Sequence, residues 1–286
     1  MSSSSNATDS KSEIKDGIQK VKNEITDTQD KSVPKPENKI KEEVENVKVG
    51  KEGTASNNKS NSSKRSDNTK PASKPIDHTA FHQLLQDNVK NNKVNYKAIR
   101  ASPEKLNQYL EDLKQTDIST LSKSAQLAFW INAYNASTIK LIITNYPIKS
   151  ITKIANGKPW DDKWIPLDGQ RLSLNNIEND IIRPTFNEPR IHFAVNCAAI
   201  SCPPLHNKAW SAGNMNTYLE QQTKAFINDA QHNQISARQV KVSKIFEWYK
   251  EDFGDLITFL NKYSDTKIDA DAKIEYAEYD WRLNGF

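Results

Sequence analysis

Aromatic residues are distributed so unevenly along this 286-residue chain that they limit where it can fold. Residues 1–75 contain no Phe, Trp or Tyr, so the 9 Phe, 6 Trp and 9 Tyr of the chain all lie beyond them. A segment without large apolar side chains cannot bury enough surface to offset the entropy of ordering its backbone. We therefore predict a disordered polar tether over residues 1–75 and one globular domain over residues 76–286, a normal size for a single domain.

The net charge of +4 is mostly a property of the tether. Residues 1–75 hold 15 Lys and Arg against 12 Asp and Glu, which leaves 25 against 24 of the chain's 40 and 36 for the domain. Basic and acidic residues are interspersed in the domain without an aromatic-basic stripe, so we predict no nucleic-acid partner. No run of about 18 apolar residues is present, so we predict no membrane-spanning helix.

The first residues lead to an expectation about location. Met1 is followed by four serines and Asn6, without the basic and apolar regions of a signal peptide. A serine run leading into a polar tether also follows the lipid-bearing cysteine of mature bacterial lipoproteins, and a chain in which Met replaces that cysteine would begin this way. We expect a protein of the bacterial cell envelope, periplasmic or on the outer surface, with possible membrane tethering through a lipidated N-terminus; a cytoplasmic location is the alternative.

Hydrophobic patterns predict helices in the first half of the domain and strands later. Residues 124–144 are apolar nearly all round, which indicates a helix buried on several sides. Residues 164–172 place Asp168-Gly169 between apolar pairs, a hairpin signal. Alternation predicts strands over residues 190–197 and 273–281. The predicted fold class is α+β, with a helical N-terminal half packed on a mainly antiparallel sheet.

The buried helix carries two polar residues, Asn132 and Asn135, three positions apart. An amide in such a place needs hydrogen-bond partners. The two side chains either bond to neighbouring backbone and fix the packing, or they point into a cleft beside residues 190–205.

Most of the reactive side chains are concentrated in residues 190–205, RIHFAVNCAAISCPPL, which hold both cysteines of the chain. A thiolate beside an imidazole base and a third, orienting group can act as a nucleophile. His192, Cys197 and either Glu178 or an Asn amide would supply these parts. On an unbroken strand His192 and Cys197 would face opposite sides. The pair therefore requires a bulge or turn, for which Asn196 is a suitable residue.

Two other uses of the cysteines compete with catalysis. In an exported protein, Cys197 and Cys202 are close enough in sequence to form a structural disulfide, which would consume the nucleophile. His192, Cys197, Cys202 and His206 would in principle make four zinc ligands. The spacing matches no strong zinc motif, so we predict no metal and no other cofactor.

Five motifs together resemble one known family. They are LAFWINAYNA (127–136), DGQRLSLNNIE (168–178), RIHFAVNCAAISCPPL (190–205), FEWYKEDFG (246–254) and YDWRLN (279–284). Over roughly residues 78–286 the chain is similar to the DUF547 family, uncharacterised domains of bacteria and plants. The resemblance implies that the motif positions matter together, and it implies no reaction or cofactor.

These observations leave two functional hypotheses. The first is a cysteine-dependent hydrolase or acyl transferase acting on an amide or thioester of a small molecule or peptide. The second is a non-catalytic binding or envelope-associated module with a structural cysteine pair. For the first, the predicted catalytic residues are His192, Cys197 and Glu178, and the predicted binding residues are Asn132, Asn135, Asn196 and Cys202. The sequence predicts no oligomeric state.

Overall fold

A computed structural model describes residues 76–286, so the predicted disordered tether over residues 1–75 lies outside the described residues. Within this range the chain forms nine α-helices, numbered in chain order: Thr79–Asn88 (α1), Tyr96–Ala101 (α2), Glu104–Gln115 (α3), Lys123–Asn145 (α4), Arg183–Phe186 (α5), Met215–Ile227 (α6), Ile245–Trp248 (α7), Lys250–Phe253 (α8) and Leu256–Tyr263 (α9). Shorter 3₁₀ turns cover Ile118–Thr120, Ile151–Lys153, Ala155–Gly157 and Pro189–Phe193, and a π-helix covers Asn176–Ile182. No helix of residues 76–286 combines the length and apolarity that crossing a bilayer would require.

The strands are short and form three small sheets: Val89–Lys90 (β1) with Lys93–Val94 (β2), Ile165–Leu167 (β3) with Gln170–Leu172 (β4), and Gln234–Ile235 (β5), Gln239–Val242 (β6) and Lys273–Tyr276 (β7) together. The β3–β4 hairpin confirms the Asp-Gly prediction, since Asp168 and Gly169 have the positive φ angles of 51° and 71° that such a turn needs. In the largest sheet β6 runs antiparallel to β5 and parallel to β7.

The predicted fold class is therefore wrong. The described residues are rich in helix, and none of their sheets is the long antiparallel sheet that we expected. The main cause is residues 190–197, which alternate like a strand but begin as the 3₁₀ turn Pro189–Phe193. Ile191 packs into one hydrophobic cluster and Phe193 into another, so the alternation arises from burial on two sides of a turn.

The buried helix α4 confirms the prediction for residues 124–144 and is the centre of the first cluster. It begins after Ser122, whose Oγ accepts a hydrogen bond from the Ala125 N–H at 3.3 Å, a normal N-cap. Sixteen of its residues are buried, and it packs against α2, α3 and the π-helix. A helix buried on this many sides can fix the position of later segments of the chain.

Two amides of α4 connect it to the segment after residue 190. The Asn132 amide donates to the Trp210 carbonyl at 2.8 Å and accepts from the Trp210 N–H at 3.0 Å. Asn135 donates to the Ala194 carbonyl and accepts from the Asn196 N–H, both at 2.9 Å. Each amide thus substitutes for a strand partner and satisfies two buried backbone groups.

The second cluster collects the aromatic residues of the C-terminal part around Phe193. Its ring lies 5.4 Å from that of Phe226, 5.8 Å from Phe246 and 5.9 Å from Phe253. Because Ile191 belongs to the first cluster, the 3₁₀ turn between these residues lies at the boundary of the two cores. His192 is placed at that boundary.

The last residues of the chain hold the turn that follows Asn196. The Ile200 N–H donates to the Arg282 carbonyl at 2.8 Å, and the Asn284 N–H donates to the Ala198 carbonyl at 3.0 Å. Residues 277–286 therefore dock against this turn. We expected residues 273–281 to form one strand that closes a sheet, but only β7, the first four of these residues, joins a sheet.

The Asn135 amide provides a test of this arrangement. Replacing Asn135 with Ala leaves the Ala194 carbonyl and the Asn196 N–H without a partner in the interior, at about 1–3 kcal/mol for each group. We expect urea denaturation to show a loss of about 2–5 kcal/mol in the free energy of unfolding. Asn107→Ala, at an exposed position of α3, is the control and should change it by less than about 0.5 kcal/mol. A loss for Asn135→Ala no larger than the control's would contradict the structural role.

Candidate active site

A cavity of about 90 Å³ opens at the boundary of the two cores. Four of the predicted site residues line it: Glu178, His192, Cys197 and Cys202. Six large aromatic side chains form most of the remaining wall: Tyr134, Trp160, Trp248, Tyr249, Tyr279 and Trp281. The cavity therefore combines a thiol, an imidazole and a carboxylate with apolar surroundings.

His192 is fixed by an ion pair beneath it. Its Nε2 lies 2.7 Å from Asp252 Oδ2, and the same carboxylate accepts two hydrogen bonds from Arg183, at 2.6 and 2.7 Å. Burial opposes ionisation of Asp252, but the hydrogen bonds from His192 and Arg183 outweigh it and hold the pKa of this carboxyl well below its usual range. The ionised carboxylate fixes the imidazole so that Nε2 carries a proton and, in the neutral ring, Nδ1 has a free lone pair.

The other side of the imidazole is in contact with Tyr249 and Glu178. The Tyr249 ring stacks on His192 with centroids 3.9 Å apart. His192 Nδ1 is buried and makes no hydrogen bond within the described residues; the nearest carboxylate oxygen, Glu178 Oε1, is 3.8 Å away. This distance is too long for a hydrogen bond. Nδ1 is thus an acceptor available to a molecule in the cavity.

Glu178 lies in the π-helix Asn176–Ile182 and reaches the cavity from there. Only 4% of Glu178 is exposed. The Tyr249 hydroxyl is buried and hydrogen-bonded to the Glu178 carboxylate. Its burial and the negative charge of Glu178 raise the pKa of Tyr249 well above the ordinary value. Tyr249 therefore stays a neutral donor to the carboxylate.

The two cysteines are free thiols in different surroundings. Cys197 is partly exposed, and its Sγ lies 3.1 Å from the Tyr279 hydroxyl; Cys202 is buried and accepts a hydrogen bond from the Cys197 N–H at 2.8 Å. Burial opposes ionisation of Cys197, but hydrogen bonds from Cys202, Tyr279 and the backbone of Ala199 lower its pKa below the ordinary thiol value. Burial raises the pKa of Cys202 well above that value. Cys197 is therefore the more reactive thiol.

The turn expected near Asn196 is present and removes the strand-parity objection. Asn196 donates to the Pro203 carbonyl at 2.8 Å and accepts from the Ala198 N–H at 2.9 Å. Ala198 has a φ of 63°, an uncommon conformation for a residue with a Cβ. This reversal lets Cys197 line the same cavity as His192 even though the segment is not a strand.

The three predicted amides lie elsewhere. Asn132, Asn135 and Asn196 are all buried and bonded to backbone, and none of them lines the cavity. Their role in binding stays a prediction, while their contacts give each of them a structural role. His206 does not line the cavity either, and its ring packs on Tyr218 with centroids 4.4 Å apart. No group of three His, Cys, Asp or Glu residues within residues 76–286 is placed to hold a metal ion.

Sequence reasoning missed Asp252 and Tyr279 as site residues. Both lie in quoted motifs, FEWYKEDFG and YDWRLN, but they are 60 and 82 positions away from the residues that they contact. Strand or helix periodicity carries no signal over such a separation. The signal that could have found them is the family resemblance, which implies that the positions of these motifs matter together.

The fold and the cavity define a helix-rich domain in which a thiol and an oriented imidazole line the same cavity. A family model described as "Protein of unknown function, DUF547" matches residues 118–227. The match confirms the resemblance over residues 118–227, where the chain is similar to this family. The motifs at 246–254 and 279–284 lie beyond the matched segment, so their assignment to the family stays a prediction. A search of curated proteins and a search of solved structures gave no match.

The surroundings of the two thiols predict unequal alkylation. With the native protein at neutral pH, iodoacetamide should modify Cys197 much faster than Cys202, as followed by peptide mass spectrometry. Tyr279→Phe removes a hydrogen bond that stabilises the thiolate, so the pKa of Cys197 should rise and the midpoint of the rate's pH dependence should move upward. Tyr276→Phe, in β7, is the matched control and should leave that midpoint unchanged. Equal rates for the two thiols would show that the contacts do not activate Cys197.

Proposed function

We propose that the cavity is the active site of a thiol-dependent acyl transferase or hydrolase acting on an amide or thioester. The observation that carries the proposal is that the partly exposed Cys197 thiol, with its lowered pKa, lines the same cavity as an imidazole fixed by Asp252. A thiol nucleophile, a base and a group that orients the base are the parts that such chemistry needs.

In the first step Cys197 Sγ attacks the carbonyl carbon of the substrate. The thiol proton passes to His192 Nδ1, and as the bond between the carbonyl carbon and the leaving nitrogen or sulfur breaks, that proton goes to the leaving group. The acyl group remains on Cys197 as a thioester. In the second step water or another acceptor attacks this thioester, His192 accepts the acceptor's proton, and the Cys197 sulfur is released.

The roles of the other groups follow from their contacts. Asp252 is a positioning residue, because it holds Nε2 and stabilises the positive charge that forms on the imidazole. Tyr279 lies within hydrogen-bond distance of the attacking sulfur. Glu178, predicted as the orienting group, lies on the opposite side of the ring from Asp252, so we assign orientation to Asp252 and leave Glu178 facing the substrate.

A small aryl thioester tests the proposal. Intact-mass spectrometry should show one acyl group on the protein, mapped to Cys197 and absent in Cys197→Ala. His192→Gln should slow the acylation by about 10²–10⁴-fold, the usual contribution of a general base. Asp252→Asn should slow it and also change its pH profile, whereas Asp269→Asn, at an exposed position, should do neither. Acylation that persists at full rate in His192→Gln, or that maps to another residue, would exclude the mechanism.

A non-catalytic binding module is the second candidate. The aromatic wall favours it, since six large aromatic side chains around a small cavity suit ligand recognition as well as substrate recognition. It predicts that ligand binding survives in Cys197→Ala and that no acylation occurs with any thioester.

We also propose that the protein is tethered in a bacterial cell envelope, supported by the serine run that precedes the polar N-terminal segment. Fractionation of the source cells should recover the natural protein with membranes and release it with detergent. Recovery in the cytosolic fraction would contradict this location.

A further inference from the structure

The aromatic wall of the cavity is a contiguous group. The ring of Trp281 lies 5.5 Å from Trp160, 5.8 Å from Trp248 and 4.5 Å from Tyr279. Rings of this kind bind apolar stems by contact and attract cations through the negative potential over their faces, Trp most strongly. By itself such a wall fits a sugar ring, an alkyl chain or an alkylammonium ion.

The polar end of the cavity selects among these ligands. Glu178 is the only carboxylate among the described lining residues, and its negative charge helps to raise the pKa of Tyr249. Arg183 is near enough to Glu178 for the two charges to attract, but both of its hydrogen bonds to a carboxylate go to Asp252, and its single positive charge cannot neutralise both carboxylates. The cavity therefore favours a positive ligand over a neutral or negative one.

Hydrogen-bond capacity points to the same ligand. His192 Nδ1 is buried without a partner in the described part of the chain, and it lies 3.8 Å from a Glu178 carboxylate oxygen. Because the Nε2–H group donates to Asp252, Nδ1 is an acceptor. Nδ1 and the Glu178 carboxylate are therefore two neighbouring acceptors at this end of the cavity. A primary ammonium group has three donors and a positive charge, and it can bond to both acceptors at once.

We propose that the cavity binds a primary ammonium ion on a short apolar stem, and that this amine is the acyl acceptor. The inference rests on the proposed acyl transfer for the chemical step, whereas the binding itself does not. The stem packs against Trp248, Trp281 and Tyr279, and the ammonium group bonds to Glu178 and to His192 Nδ1.

The transfer step balances with groups on the cavity wall. The ammonium ion gives one proton to His192 Nδ1 and becomes a nucleophilic amine. Its nitrogen attacks the carbonyl carbon of the acyl-Cys197 thioester, a carbon–nitrogen bond forms, and the carbon–sulfur bond breaks. The second proton lost by the nitrogen goes to the departing Cys197 sulfur, which leaves an amide, a free thiol and an imidazolium ion that returns its proton to solvent.

Binding can be measured apart from chemistry in the full chain carrying Cys197→Ser. Tryptophan fluorescence should report n-butylammonium binding, because three of the six Trp residues line the cavity. The matched probes n-butanol and butyrate have the same stem without the positive charge. We expect n-butylammonium to bind about tenfold or more tightly than either, as a charge-assisted hydrogen bond requires.

Variants identify the groups responsible. Glu178→Gln should remove the preference for the ammonium ion, a loss of about tenfold or more, while the exposed Glu104→Gln should retain it. Trp248→Leu should weaken ammonium binding about threefold or more and is the deciding variant if Glu178→Gln does not fold, as judged by circular dichroism. Equal affinity for n-butanol and n-butylammonium, or an unchanged preference in Glu178→Gln, would overturn the proposal.

The two proposals can fail separately. Acylation of wild-type Cys197 by the aryl thioester without n-butylammonium binding would leave acyl transfer intact and overturn the amine site. Ammonium binding without any acylation would support the cation site and overturn the thiol mechanism. With both present, mass spectrometry should detect the N-butyl amide of the transferred acyl group, and hydrolysis alone in saturating n-butylammonium would overturn the amine's role as acceptor.

Discussion

The Asp252 carboxylate is the interaction on which the geometry of the site depends. It lies in α8 and binds two side chains from earlier in the chain. Arg183, at the start of α5, is 69 positions before it, and His192, in the 3₁₀ turn, is 60 positions before it. The three side chains are partly or fully buried, and their needs are complementary. The carboxylate accepts hydrogen bonds from Arg183 and His192, and it fixes both donors in place. Removing one partner would leave a charge or an imidazole without compensation between the two cores.

Placement at the boundary of two hydrophobic clusters explains why a cavity lined by thiols, an imidazole and a carboxylate can persist in a well-packed domain. Ile191 and Phe193 fix the 3₁₀ turn from both sides, which leaves His192 at the boundary facing the cavity. The buried amides of α4 fix the backbone at Ala194 and Asn196 immediately afterwards. The C-terminal residues then complete the wall, bringing Tyr279 to Cys197 and Trp281 to Trp160. Each functional side chain is therefore supported by contacts that have no chemical role of their own.

Local patterns predicted those parts of the fold that depend on local forces. The helix Lys123–Asn145 was predictable because an apolar sequence of that length with a serine cap is stable as a helix in any packed interior. The hairpin was predictable because Asp168 and Gly169 favour the backbone angles that a tight turn requires. The strand predicted over residues 190–197 failed, since alternating apolar residues also fit a 3₁₀ turn buried between two cores, and one sequence cannot show how many cores are present.

The sequence by itself determined where the chemistry is concentrated and which groups are available: Glu178, His192, Cys197 and Cys202 all line one cavity. Composition and motif content carry that information because reactive side chains are rare in apolar segments. Only the tertiary structure decided their relationships, including that Asp252 orients His192, that Tyr279 contacts Cys197, and that Asn132, Asn135 and Asn196 bond to backbone away from the cavity. Those contacts join residues separated by up to 82 positions, and packing at the boundary of two cores brings them together where no periodicity of the sequence does.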